Sequence, residues 1–175
     1  MCGRYTLSVS NKPAVEKLGL QTSDRFNIAP QSQVVIKTDV SDHASARWGI
    51  PLGGSGVSRF ATNARFETLD ARPLFRDLAR CALLADGWYE WQRSASPSRA
   101  WYHHADGEVL RFAGVYEPTS GCAIVTMNAQ AAIAHIHHRQ PLLLSADASH
   151  QWLDGAPADD CITDITVDFY RVSSA

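Results

Sequence analysis

The feature that most constrains the fold is the division of the chain into many short β-type segments by closely spaced turn residues. β-Branched and other apolar residues dominate Gln33–Lys37, and residues 122–127 are also apolar. Runs of this length and composition are typical of strands. The pair Asp106-Gly107 lies between two further apolar runs and indicates a β-hairpin.

Helical patterns are fewer and shorter. Leu74, Phe75 and Leu78 would share one face of a helix, and Ser145 and Gly155 suit the two ends of another. Further strands are predicted at 44–50, 81–91 with a turn at Asp86-Gly87, 101–104, 109–115, 142–144 and 162–172, and helices at 12–18, 72–80, 129–135 and 145–153. The pattern predicts a single α+β domain over 1–175, with a curved, open, β-barrel-like sheet core and a few short helices.

Composition narrows the class of protein. The chain has 175 residues, of which 45% are hydrophobic and 19% charged, as in a soluble globular domain. No apolar run is long enough to span a bilayer, and the N-terminus lacks the features of a signal peptide, so we expect a cytoplasmic protein without a membrane partner. The four cysteines form no C-x-x-C pair, so neither a metal nor another cofactor is predicted.

The charge of the chain permits a nucleic-acid partner only if its basic residues gather on one face. The formal net charge is −2, whereas phosphate binding is driven by cations that displace counterions. Only three of the 16 basic residues are lysines. The remaining arginines suit bidentate recognition of phosphate better than lysine does.

Cys2 follows the initiator methionine. Removal of Met1, which is common before a small residue, would leave a free α-amine and a thiol on adjacent carbons. An α-amine has a pKa of about 7.7–8.0 and is partly neutral near pH 7, and a thiol is a strong nucleophile. Together they can trap an aldehyde, the amine as a Schiff base and the thiol by closing a thiazolidine ring. Taken alone, Cys2 could equally be incidental.

Cys2 belongs to the first of six motifs that follow one another in a fixed order. They are C-G-R-Y at 2–5, F-N-I-A-P at 26–30, R-W-G-I-P at 47–51, N-A-R-F-E-T at 63–68, A-D-G-W-Y-E-W at 85–91 and I-H-H-R-Q-P at 136–141. This set resembles the SOS response-associated peptidase (SRAP) family, whose members crosslink to abasic sites in single-stranded DNA. The resemblance covers roughly residues 2–153 and implies an open β-barrel core with a positively charged groove for DNA.

The resemblance also implies roles for individual residues. By motif position, the catalytic residues would be Cys2, Asn63, Glu90 and His137. The DNA-binding residues would be Arg4, Asn27, Pro30, Arg65 and Arg139. The expected protein is a monomeric abasic-site sensor of the DNA damage response. It would bind single-stranded DNA containing abasic sites and protect the lesion as a covalent thiazolidine at Cys2, with lyase and autopeptidase activity possible at the same site.

These residue types suit the chemistry. Opening the abasic sugar and dehydrating a carbinolamine need an acid, and Glu90 lies between two aromatic residues that could keep its carboxyl protonated. His137 can transfer protons near neutral pH. Asn63 can hydrogen-bond the amine or the sugar oxygen without carrying a charge. Without the family motifs, Glu90 could be a solvent-facing strand residue, His137 a core or surface residue, and Asn63 a turn cap.

The sequence departs from the family pattern at two places. No aromatic residue occurs between Pro51 and Phe60, where many members carry a tryptophan that touches DNA. Pro73 stands where a phosphate-binding arginine is expected, with Arg72 one position away. The first departure predicts the loss of one stacking contact.

Three other functions are compatible with parts of the sequence. His135, His137 and His138 could ligate zinc in a hydrolase, although three or four ligands at suitable spacing are usually needed. A self-processing peptidase could use Cys2 as its nucleophile. A noncatalytic single-strand binder would retain its activity after loss of the Cys2 thiol.

Overall fold

The structure, a computed structural model, describes residues 2–10, 13–20, 22–53, 59–92 and 96–172. Lys12 of the helix predicted at 12–18 lies outside the described residues. The strands are β1 Arg4–Leu7, β2 Arg25–Ile28, β3 Gln33–Lys37, β4 His43–Arg47, β5 Ile50–Leu52, β6 Arg59–Ala61, β7 Asn63–Arg65, β8 Ala79–Ala85, β9 Gly87–Gln92, β10 Arg99–His104, β11 Leu110–Glu117, β12 Gly121–Asn128, β13 Arg139–Pro141, β14 Leu143–Leu144 and β15 Asp168–Arg171. The helices are α1 Pro13–Glu16 and α2 Ala146–Leu153, with 3-10 turns at Phe66–Thr68 and Ala158–Cys161.

Five strands form the smaller of the two main sheets, in the order β15-β10-β9-β1-β2. Strand β1 pairs antiparallel with β9, so that Arg4 lies opposite Tyr89 and Tyr5 opposite Trp88. Side chains alternate across the sheet: Tyr5 and Trp88 are fully buried, whereas Tyr89 is half-buried on the other face. This sheet therefore carries the first motif and the D-G-W-Y-E-W motif side by side.

The larger sheet has the order β13-β12-β11-β8-β3-β4, with β14 also paired to β11 and β7 paired in parallel to β12. Its central strands are buried on both faces. In β12, Cys122 and Ile124 belong to one apolar cluster, together with Tyr5 and Trp48, while Ala123 and Val125 belong to a second. Such two-sided burial explains why these strands are almost continuously apolar. A separate ribbon pairs β5 with β6.

Helix α2 covers the second cluster. Ser145 caps its N-terminus by accepting a hydrogen bond from the backbone N–H of Ala148, as predicted from the sequence. Trp152 is fully buried, and its indole N–H lies 3.0 Å from the carbonyl oxygen of Cys81. Within the described residues, none of the helices is long and apolar enough to cross a membrane.

The prediction of many short strands and few helices is confirmed, and most of the strands pair antiparallel, but the barrel-like description holds only in part. The strands form separate sheets that do not close into a barrel. The inner faces of the two large sheets cover each other, so both are buried although the strands do not close into a barrel. Tyr5 of the smaller sheet packs against Phe112 of the larger one, with ring centroids 5.8 Å apart.

The predicted hairpin at Asp106-Gly107 is wrong. Gly107 does form a turn, with φ +69°, but β10 pairs with β9 and β15 in the smaller sheet, while β11 pairs with β8 and β12 in the larger one. The turn predicted at Asp86-Gly87 divides the segment 81–91: β8 ends at Ala85, β9 begins at Gly87, and the two strands belong to different sheets. At each of these two turns the chain passes from one sheet to the other. The strands on the two sides of a turn therefore pair with other strands and not with each other.

Two predicted helices are also wrong. The segment 72–80 consists of turns and then of the first residues of β8, because Ala79 and Arg80 pair with Tyr116 and Val115 of β11. Leu74, Phe75 and Leu78 still pack on the second cluster. The segment 129–135 is a series of turns. Residues 54–58, in the glycine- and serine-rich segment after Pro51, lie outside the described residues.

Candidate functional site around Cys2

Cys2 lies just before β1, at the edge of the smaller sheet where β9 ends. Because Arg4 is paired with Tyr89 in antiparallel register, the chain that precedes Arg4 runs toward Glu90. Cys2 is fully buried, and Glu90 is only 4% exposed. Burial raises the pKa of the Cys2 thiol well above its usual value, and the negative charge of Glu90 raises this pKa further. The thiol is therefore protonated at neutral pH.

Asn63 reaches Cys2 from the other sheet. Its side-chain N–H donates to the carbonyl oxygen of Cys2 at 3.2 Å and to the hydroxyl of Thr62 at 3.1 Å. Strand β7 is held in parallel pairing with β12, with Asn63 opposite Ile124. The side-chain oxygen of Asn63 is buried without a hydrogen-bond partner among the described residues. Asn63 thus fixes the backbone of Cys2 and keeps one acceptor available beside it.

The F-N-I-A-P segment lies on the neighbouring strand. The guanidinium of Arg4 donates to the side-chain oxygen of Asn27 at 2.8 Å, so two of the residues expected to bind DNA hold each other. Pro30 is half-buried and precedes Gln31, whose φ of +74° is in the left-handed region that side chains rarely adopt. The Gln31 N–H donates to the carbonyl of Trp48 at 2.8 Å, which holds this turn in place.

His137 follows the turns at 131–136 and is half-buried. Its Nδ1 lies 3.0 Å from the backbone nitrogen of Arg139, whose N–H can donate to it, and 3.2 Å from the carbonyl oxygen of Arg139, to which a protonated Nδ1 can donate. The ring stacks on His138, with centroids 4.5 Å apart. Either contact holds Nδ1 against the Arg139 backbone, so the direction of the ring is fixed.

Arg139 is 7% exposed and engaged by protein groups. Its guanidinium makes a bidentate ion pair with Glu67, one of the two contacts measuring 2.9 Å, and also donates to the side-chain oxygen of Asn128 at 2.9 Å. Direct contact with a DNA phosphate would require this arrangement to open. Arg65, by contrast, is exposed at the end of β7.

The structure thus brings Asn63 and Glu90 to Cys2, and places His137 beside the ion-paired Arg139. The three histidines considered as zinc ligands have different surroundings. The ring of His135 lies 6.0 Å from that of Trp101, whereas His137 and His138 stack on each other. Within the described ranges, no group of three or more His, Cys, Asp or Glu side chains could hold a metal ion.

The motifs did not reveal which groups hold the site together. The hydroxyl of Thr6 bonds to the carboxylate of Asp86 and lies 2.7 Å from the hydroxyl of Tyr102. A side chain at Gly87 would collide with that tyrosine, since an added Cβ would lie 2.1 Å from its hydroxyl oxygen. This cluster joins β1, β9 and β10. Asp86 and Gly87 belong to a quoted motif, so a signal was present for part of it.

Comparison with known families identifies the chain. The model of the family described as SOS response associated peptidase (SRAP) matches residues 1–174. The chain belongs to this family. The resemblance drawn from the six motifs is therefore confirmed, and Cys2, Asn63 and Glu90 come from three of those motifs.

Individual relatives agree with this assignment to the SRAP family. The chain is 27% identical over 180 residues to the abasic site processing protein YedK of Escherichia coli, covering 87% of this chain and 79% of YedK. It is 29% identical over 187 residues to the abasic site processing protein YoqW of Bacillus subtilis, covering 91% and 83%. The solved structure of a phage-related protein from Bordetella bronchiseptica superposes with a TM-score of 0.76 at 27% identity, covering 99% of this chain and 95% of that one.

Proposed function

We propose that this SRAP protein processes abasic sites in DNA, and that it does so by crosslinking covalently to single-stranded DNA through Cys2. The observation that carries the proposal is the convergence on Cys2 of Asn63 and Glu90, from two other motifs and two different sheets. The names of the relatives YedK and YoqW, both abasic site processing proteins, support the choice of substrate.

The reaction requires that Met1 is removed, so that Cys2 carries a free α-amine. The amine nitrogen attacks the aldehyde carbon of the ring-opened sugar and gives a carbinolamine, which loses one water to form an imine. The Cys2 sulfur then adds to the imine carbon, and the thiol proton passes to the nitrogen. The product is a thiazolidine, with one water released overall.

Burial of the Cys2 thiol favours this order of steps. Because its pKa is raised, the sulfur is held as a thiol and does not compete with the amine for the aldehyde. Glu90, buried beside it, serves as the acid that opens the sugar and protonates the departing hydroxyl of the carbinolamine. The proton that leaves the thiol stays within the product.

Asn63 positions the amine. Its N–H holds the Cys2 carbonyl, and its buried side-chain oxygen lacks a partner among the described residues. A buried acceptor without a donor costs about 1–3 kcal/mol. An N–H of the Cys2 amine supplies that donor and directs the nitrogen lone pair away from Asn63.

We assign His137 to the reverse reaction and to strand cleavage. With Nδ1 bonded to the Arg139 backbone, Nε2 is the ring atom that exchanges protons with the substrate. Return of a proton to the ring nitrogen reopens the thiazolidine, and removal of a proton from C2 of the sugar would begin strand cleavage. The same imidazole can do both near neutral pH.

DNA binding rests on cationic and backbone contacts beside Cys2. Arg65 is exposed, and Arg4 is half-buried on Asn27. We assign both guanidinium groups to the phosphates that flank the lesion, with Asn27 and Pro30 lining the path of the strand. Such contacts position a strand without reading its bases.

The deciding experiment is denaturing gel electrophoresis of the mature protein with a single-stranded oligonucleotide that contains one abasic site. A stable one-to-one adduct is expected, and an intact oligonucleotide of the same sequence should give none. An uncleaved tag upstream of Cys2 should abolish the adduct while leaving binding intact. Equal adduct with intact and abasic strands, or full yield from the tagged protein, contradicts the mechanism. Removal of the tag by the protein itself would support a self-processing peptidase.

A further inference from the structure

Trp91 is more exposed to solvent than the tryptophans of the core. It is 37% exposed, whereas Trp48, Trp88 and Trp152 are fully buried. Trp91 lines an open cleft of about 410 Å³ together with Arg99, Ala100 and Arg171. No aspartate or glutamate is among the described residues that line the cleft. An exposed tryptophan and two arginines that line one cleft can together form a surface for an anionic, planar ligand.

Both arginines of the cleft are available to a ligand. Arg99 and Arg171 are exposed, and neither takes part in the ion pairs described, which join Arg76 to Asp77 and Arg139 to Glu67. A phosphate group provides the acceptors that such guanidinium groups bind best.

The register of the smaller sheet places this cleft beside the candidate site. Trp101 of β10 lies opposite Glu90 on one side and opposite Arg171 on the other. Adjacent strands are about 4.8 Å apart, so the backbone of Arg171 is roughly 10 Å from that of Glu90. Trp91 directly follows Glu90 in β9, so its side chain points to the opposite face of the sheet, the face that carries Tyr89 and Arg4.

Cys2 lies at the same edge of the sheet. It precedes β1, Trp91 is near the end of β9, Arg99 begins β10 and Arg171 ends β15. Since these antiparallel strands are adjacent, the four residues follow one another along one edge. A strand held at Cys2 and directed along this edge meets Trp91 first and the two arginines next.

We propose that this cleft is a subsite for nucleotides on one side of the lesion, in which a base stacks on Trp91 and the neighbouring phosphates bind Arg99 and Arg171. The inference rests on the proposed function and extends it, because it gives the bound strand a direction from the site. The exposed indole supplies a stacking surface for any base, so the subsite tolerates all sequences.

The test measures noncovalent affinity with two fluorescent single strands that carry tetrahydrofuran, which has no aldehyde, in place of the abasic sugar. In one strand all flanking nucleotides are upstream of the lesion, and in the other all are downstream. Trp91→Ala should weaken binding of one strand by about tenfold and leave the other within about twofold. Trp91→Phe, which retains a stacking surface, should restore most of the affinity.

Salt dependence identifies the phosphate contacts. Arg99→Ala and Arg171→Ala should each flatten the slope of log affinity against log salt by about 0.7 for that same strand, as expected for one phosphate contact on single-stranded DNA. Arg76→Ala is the matched control, since Arg76 is exposed and paired with Asp77, and it should leave the slope for both strands unchanged.

The subsite is overturned if all three alanine variants bind both strands as the wild type does, or weaken both equally. It is also overturned if Trp91→Phe is as weak as Trp91→Ala in a protein that melts at the wild-type temperature. Failure of the proposed function gives a different result, in which the wild type itself binds neither strand or forms no adduct with a true abasic site.

Discussion

Arg139 and Glu67 form a bidentate ion pair that joins the segment after Asn63 to the segment after His137. The Arg139 side chain is 7% exposed and that of Glu67 43%. The hydrogen bond from Arg139 lowers the pKa of the Glu67 carboxyl. The Arg139 backbone also orients the His137 ring. The ion pair therefore helps to hold that ring in place as well as the segment after Asn63.

Loss of Glu67 should destabilise the protein. Glu67→Gln removes the anion from a guanidinium that is only 7% exposed, and a hydrogen bond to a charged group contributes about 1.5–3 kcal/mol. The free energy of unfolding, measured by urea titration, should fall by roughly that amount. Glu117→Gln is the control: Glu117 is also a surface carboxylate, but it bonds to Thr119 within its own turn. Equal losses in the two variants would contradict a special role for the pair.

Arg139 should differ from Arg65 in DNA binding. Arg139 is held by protein groups, whereas Arg65 is exposed. Arg65→Ala should flatten the slope of log affinity against log salt by about 0.7, and Arg139→Ala should leave that slope unchanged while lowering stability. If Arg139→Ala flattens the slope as much as Arg65→Ala, the guanidinium leaves Glu67 and contacts phosphate.

The thiol of Cys2 should decide the lifetime of the adduct. Cys2→Ala keeps the α-amine, so a Schiff base should still form and be trapped by borohydride, but no denaturation-resistant adduct should persist without reduction. Cys161→Ala is the matched control because it removes another buried free thiol, one that lies on the second apolar cluster. An unreduced adduct of Cys2→Ala as stable as that of the wild type would eliminate the thiazolidine.

Glu90→Gln should slow crosslink formation at Cys2 but speed the alkylation of the Cys2 thiol. Crosslink formation in single-turnover experiments should slow by about 100-fold, within the usual range for loss of a general acid. The pKa of the Cys2 thiol should fall, because the negative charge that raises it has been removed. Alkylation of Cys2 by iodoacetamide should therefore become faster at a fixed alkaline pH. A variant slow in both reactions would indicate a distorted site and not a lost acid.

His103 should make stability depend on pH. It is buried against Trp88, with ring centroids 4.7 Å apart, and burial lowers its pKa to about 4. The unfolded chain, with an ordinary histidine near 6.5, binds a proton that the folded protein does not. Stability should therefore fall as pH decreases from about 6.5 to about 4, by up to roughly 3 kcal/mol at about 1.4 kcal/mol per pH unit.

His103→Phe isolates this contribution from that of the carboxylates. Phenylalanine keeps the stack and removes a ring nitrogen that has no partner among the described residues. The difference in unfolding free energy between variant and wild type should grow as the pH falls through this window and then level off. A difference that does not change with pH would show that His103 does not titrate on unfolding.

Local elements were predictable where neighbouring residues decide them. Strand β3 has the bounds predicted from its β-branched residues, and the caps of α2 were visible as Ser145 and Gly155. The segment 72–80 was not predictable in the same way. The spacing of its apolar residues indicates which side chains are buried, but a series of turns can bury those side chains as well as a helix does.

The sequence by itself determined the family and the set of residues on which the proposed chemistry depends, because the order of six motifs needs no knowledge of contacts. Only the tertiary structure decided how those residues are used. It exchanged the partners of the strands around Asp106-Gly107, buried Arg139 on Glu67, and left Trp91 exposed while other tryptophans became core. These outcomes depend on which distant surfaces cover each other, and the spacing of residues along a chain carries no record of that.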